Sequence, residues 1–116
     1  MNNATLQVLN DTDFYRVIQA TQGVSLVFFT SEGCSSCRYW KALLGQLADK
    51  RPALHVIEID AQHSMGLTRE YEVFHLPALF VFVNGEYHAP LQCEAKLATV
   101  EHNLDAVLAA PAQEAP

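Results

Sequence analysis

Residues Val24 to Thr30 read Val-Ser-Leu-Val-Phe-Phe-Thr, and this near-continuous apolar run constrains the fold more than any other part of the chain. A strand so apolar belongs in the middle of a sheet, covered on both faces, and such sheets are built with helical crossovers. The next segment supplies one. After Ser31-Glu32-Gly33, residues Cys34 to Lys50 carry Trp40, Leu43, Leu44 and Leu47 at one-face helical spacing, with Gly45 as a weak point and Pro52 marking the end. Leu54, Val56, Ile57 and Ile59 then make a second strand ending at Asp60, parallel to the first because a helix of crossover length lies between them.

The flanking segments extend this β-α-β unit. Thr5 to Leu9 alternates weakly, as a short first strand does, and Asn10-Asp11-Thr12-Asp13 offers N-caps for a helix over Asp11 to Thr21 that Gly23 closes. Ser64 to Tyr71 reads as a short helix capped by Ser64, and Val73 to Pro77 as a loop entering the strand Ala78 to Val83. Asn84-Gly85 is a tight-turn signal, so Glu86 to Gln92 returns antiparallel. Glu94 to Ala109 places Leu97, Val100, Leu104, Val107 and Leu108 on one helical face. The order β-α-β-α-β-α-β-β-α predicts an α/β fold with a mixed sheet of about five strands and helices on both faces. Its first three strands are parallel and carry the chemistry at their carboxyl ends. Residues 1–109 read as one domain and 110–116, small and Pro-containing, as a flexible tail.

At 116 residues, half of them hydrophobic and 17% charged, the chain has the size and composition of one compact domain. Seven Lys and Arg stand against 13 Asp and Glu, and the basic residues are scattered, which argues against a nucleic-acid partner. The run Leu76 to Val83 is too short to span a bilayer, so no membrane partner is expected. The first residues, Met1-Asn2-Asn3-Ala4-Thr5, lack the basic and apolar character of a signal peptide, which predicts a cytoplasmic protein. Three cysteines with one close pair do not make the framework of a disulfide-rich secreted domain.

That pair, Cys34 and Cys37, sits one turn apart at a helix start, close enough for the sulfurs to bridge in a very small ring. Such a ring opens and closes readily, which makes it a redox switch. A thiol in the first helical turn faces unpaired N–H groups and the positive end of the helix dipole, and both favour the thiolate. Cys37, a turn further in, is more covered and stays a thiol until a mixed disulfide on Cys34 comes into its reach.

The chain resembles the thioredoxins. The resemblance is carried by Phe29 to Cys37 with its C-x-x-C, Ile59-Asp60 ending the next strand, His75-Leu76-Pro77 opening the one after, and Asn84-Gly85-Glu86 at the hairpin, and it extends over roughly Leu6 to Leu108. It implies that Cys34 is the attacking thiolate and Cys37 the resolving thiol. It also implies a cis bond before Pro77, with the backbone of Leu76 exposed beside Cys34 to pair with an extended substrate segment. Gly33 stands where many thioredoxins have a tryptophan that serves as a substrate platform, and Ser35-Ser36 stands where they have Gly-Pro. The two hydroxyls can donate to sulfur. Phe28 stands where the family often has a buried Asp that takes the proton of the resolving thiol, and Val56 where it has that residue's Lys partner. Unless Glu58, Asp60 or water supplies the missing base, a slower or more selective reductase follows, since positioned base catalysis is worth ~10²–10⁴-fold.

Cys93 matches a family glycine beside the proline. It reads first as a small buried hydrophobe and second as a candidate regulatory thiol. His75 reads as a solvent-facing loop residue, and Trp40 as core. These features predict a thiol-disulfide oxidoreductase that reduces protein disulfides, draws electrons from an external reductase or small thiol, and needs no bound cofactor. Two rival readings are a non-catalytic redox sensor or interaction module of the same fold, and a zinc or iron-sulfur site built from Cys34, Cys37, Cys93 and His75, for which a second close ligand pair is lacking.

Overall fold

The computed structural model describes residues 6–116. Its elements are β1 (Gln7–Leu9), α1 (Phe14–Ala20), β2 (Val24–Thr30), α2 (Ser35–Lys50), β3 (His55–Asp60), α3 (Met65–Glu70), β4 (Ala78–Val83), β5 (Glu86–Leu91) and α4 (Leu97–Ala109). The five strands form one sheet in the order β1-β3-β2-β4-β5, with β1, β3 and β2 parallel and β4 and β5 antiparallel. The apolar run Val24–Thr30 is therefore the central strand, hydrogen-bonded on both sides to β3 and β4.

Strand alternation divides the apolar residues between two cores. Leu26, Phe28, Val56 and Val81 meet Trp40, Leu43, Leu44 and Leu47 of α2 and Val100 and Leu104 of α4 on one face. Val27, Phe29, Ile57, Ile59, Phe80 and Phe82 meet Phe14 and Ile18 of α1 and Leu67 of α3 on the other. Helices thus cover both faces, as the element order predicts.

Element ends differ from the sequence reading where polar groups outcompete periodicity. Thr5, expected in the first strand, lies outside the described residues. The first helix starts at Phe14 rather than Asp11, because Asn10 to Asp13 close their own turn: the Asn10 N–H donates to Asp13 Oδ1 at 2.7 Å and the Thr12 N–H to Asn10 Oδ1 at 2.9 Å. Asp11 is left free to act elsewhere. Its carboxylate accepts the Gly66 and Leu67 N–H groups at 3.1 and 3.0 Å, capping α3 from across the sheet edge. Ser64 occupies the N-cap position of α3, but its side chain makes no capping bond. The last helix starts at Leu97, three residues later than the apolar spacing suggests, after a loop in which the Lys96 N–H donates to Glu94 O at 2.9 Å.

The hairpin after β4 is as the Asn-Gly pair predicts, with both residues at positive φ (52° and 82°). Gly85 is required for a second reason: a Cβ there would stand 2.7 Å from Ile18 O at the end of α1. The β4–β5 register slips between Val81 and Phe82, which leaves His88 as the extra residue of a bulge. Its ring nitrogen donates to Val107 O of α4 at 2.8 Å, and its carbonyl accepts the Gln113 N–H at 2.7 Å. Residues 110–116 accordingly run beside the edge strand.

Candidate functional site

Strand β2 delivers the chain to the carboxyl edge of the sheet, where Ser31, Glu32 and Gly33 turn it into α2. Cys34 is the N-cap of that helix, in extended conformation at φ −96° and ψ 104°. Its sulfur takes the place of a capping oxygen and accepts the Cys37 N–H at 3.2 Å. Cys34 and Cys37 are joined as a disulfide with Cα atoms 5.2 Å apart. The hydroxyl of Ser36 lies 3.4 Å from Cys34 Sγ, and since a disulfide sulfur has no hydrogen to give, the hydroxyl is the donor. Two donors thus converge on Cys34 Sγ, an arrangement that also suits a thiolate.

The two sulfurs differ in surroundings. Cys34 is half-buried, whereas Cys37 is 1% exposed and packs in the core with Phe28 and Trp40. The side of Cys37 that lies over Phe28 of β2 is therefore hydrocarbon. Toward β3 a cleft of about 230 Å³ opens, whose lining includes Glu32, Cys37, Arg38, Lys41, Glu58 and Asp60.

The Leu76-Pro77 bond is cis, as the resemblance implies. Leu76, Cys34 and Cys93 are all half-buried against the same α2-side core. Gly33 is exposed, and a Cβ on it would meet no atom within 4 Å. A groove of about 560 Å³ includes Pro77, Trp40, Tyr71, His75 and Cys93 in its lining but neither cysteine of the pair. The chemistry is thus located by the disulfide rather than by this groove. Burial, with Glu94 adding to it, pushes the Cys93 thiol above its ordinary pKa. His75 is exposed. Among the described residues no three His, Cys, Asp or Glu side chains group as ligands for a metal.

Residues 5–106 match the sequence pattern of the thioredoxin family. This chain belongs to the thioredoxin family. Thioredoxins of Staphylococcus epidermidis and Staphylococcus aureus are 32% and 29% identical to it over 79 residues, which is 67% of this chain and 74% of theirs. The oxidised mitochondrial thioredoxin 3 of Saccharomyces cerevisiae superposes with a TM-score of 0.75 at 20% identity, covering 87% of this chain and 94% of that one. The thioredoxin-like fold is common to both. With a redox-active C-x-x-C pair at the end of its central strand, this thioredoxin-family chain is a thiol-disulfide oxidoreductase.

Sequence reasoning finds the cysteines, the proline and the strands that carry them. It does not single out Lys41, which faces Glu58 from the turn of α2 after Cys37, or Tyr71, which reaches the Pro77 groove from beyond α3. A charge inside an otherwise apolar strand is the signal that marks Glu58.

Proposed function

We propose that this oxidoreductase works in the reducing direction, with Cys34 attacking a protein disulfide and Cys37 resolving the mixed disulfide. The observation that carries the reading is the asymmetry of the pair: Cys34 is half-buried and its sulfur receives two hydrogen bonds, while Cys37 is buried. A nucleophile needs access and a stabilised anion, and a resolving thiol needs protection from other partners. Gly33, Leu76 and Pro77 form the surface on which an extended substrate segment lies. Cys93 lines the Pro77 groove, and burial raises its thiol pKa, which favours packing over regulation.

Electrons come from an external reductase or a small thiol, and the compartment is a reducing one, the cytoplasm. No helix among the described residues is long and apolar enough to cross a membrane. Residues 1–109 form the working domain, and 110–116 are a tail appended to it.

Insulin reduction with dithiothreitol as donor tests the reading. The intact chain should accelerate it, Cys34→Ser should abolish the acceleration, and Cys37→Ser should accumulate a mixed disulfide on Cys34 visible by mass. A Cys34→Ser variant that still turns over removes Cys34 from the attacking role.

A further inference from the structure

Resolution by Cys37 poses a problem of proton removal. The Cys37 thiol is buried against Phe28 and carries a proton that must leave before its sulfur can attack. Phe28, which it meets on β2, offers no group to receive it. The cleft toward β3 contains three carboxylates, Glu32, Glu58 and Asp60, and their surroundings separate them.

Asp60 is already engaged: Oδ1 accepts the Gln62 N–H at 2.9 Å and Oδ2 lies 3.0 Å from His63 Nδ1. Glu32 sits exposed in the turn before α2. Glu58 differs from both. It pairs in register with Phe28 on β3, and strand alternation puts its side chain on the face of Val56, toward α2. That side chain is only 15% exposed, and its Oε1 is buried with no hydrogen-bond donor. Lys41 Nζ, from the α2 turn following Cys37, lies 3.1 Å from the same oxygen as a charge contact without hydrogen-bond alignment. Arg38 completes the charged lining from the same helix.

We propose that Glu58, held by Lys41, accepts the Cys37 proton across this cleft, so that the base stands on β3 rather than on the central strand. The proposal rests on the assignment of Cys37 as the resolving thiol. The proton passes from Cys37 S–H to the Glu58 carboxylate, through water where the two do not touch. The Cys37 thiolate then attacks Cys34 Sγ of the mixed disulfide. The Cys34–Cys37 bond forms, the bond from Cys34 to the substrate sulfur breaks, and its electron pair leaves on that sulfur as a thiolate. The dithiol is oxidised by two electrons, the substrate disulfide is reduced by two, and Glu58 returns its proton to solvent through the open cleft.

Reaction of the reduced full-length chain with an aromatic disulfide, 5,5′-dithiobis(2-nitrobenzoate), in stopped flow separates the steps. The first chromophore is released by Cys34 and the second by Cys37. Glu58→Gln should leave the first phase unchanged and slow the second at least about tenfold at pH 7, with the deficit narrowing as the pH rises and hydroxide takes over removal of the thiol proton. Glu58→Asp should retain the wild-type pH profile at a reduced rate, which a purely structural role would not produce. A second phase unaltered at pH 7 in Glu58→Gln, or slowed equally at every pH, overturns the proposal. Loss of the first phase in Cys34→Ser together with an intact second phase in Glu58→Gln retains the dithiol assignment and rejects Glu58. Two release phases that persist in Cys37→Ser reject the assignment on which both rest.

Discussion

Position 33 precedes Cys34 and is open: a Cβ added to Gly33 would touch nothing within 4 Å. An aromatic side chain can therefore be added at the rim without displacing the scaffold, and aromatic contacts of this kind are worth about 0.5–1.5 kcal/mol. Gly33→Trp should lower KM for a protein disulfide about two- to tenfold with kcat held. A Tm within a degree or two of the parent should accompany the change. Steady-state insulin reduction measures the first and thermal melting the second. An unchanged KM means that the substrate does not lie over residue 33. At this scale the sequence is most legible where a residue acts through its own backbone or its immediate neighbours. Cys34, Cys37 and the Asn84-Gly85 turn are of that kind. Glu58 and Lys41 are not, because their meeting depends on how α2 lies across β3, a relation that neither segment encodes alone.

Helix α3 shows the same division at the scale of elements. The sequence places its start at Ser64, which does sit at the N-cap one residue before the helix begins, yet the side chain that caps it is Asp11, 55 and 56 positions away from the two N–H groups it accepts. A cap supplied through tertiary structure leaves no local pattern. Removing an N-cap carboxylate costs about 0.5–2 kcal/mol. Asp11→Ala should fall in that range by urea unfolding, with amide exchange faster at Gly66 and Leu67. Unaltered exchange at those two amides would show that the contact does not cap the helix. Helix α2 gives the opposite case. It runs unbroken from Ser35 through Gly45 to Lys50, and a Cβ at residue 45 meets nothing within 4 Å. Gly45→Ala should therefore stabilise the chain by about 0.5–1 kcal/mol, raising the urea midpoint without altering m. The remaining mismatches in element ends, at α1 and α4, lie where side chains or loop amides satisfy the backbone before the apolar period begins.

Across the whole molecule, the helices of the site-bearing face are tied by one charged network. Arg51, just beyond the end of α2, donates from both terminal nitrogens to Asp105 at 2.9 and 3.0 Å and from Nε to Glu101 at 3.1 Å, and Lys50 reaches Glu101 at 2.8 Å. Hydrogen bonds from Lys50 and Arg51 hold the Glu101 carboxyl below its ordinary pKa, and the bidentate bond from Arg51 does the same for Asp105. Both carboxylates bind protons less readily folded than unfolded. Their contribution is therefore complete above the unfolded values, near pH 4, and is lost as the pH falls through the lower folded ones. The pairs lie at the surface, so solvent and salt screening keep the effect small. Arg51→Met removes the main cause of the shift at Asp105 and one of the two hydrogen bonds behind it at Glu101. The parent chain should lose more Tm between pH 5 and pH 3 than this variant does, and the difference should shrink in 1 M sodium chloride. Parallel Tm curves for the two proteins over that interval would show that the α2–α4 network carries no pH-dependent stability.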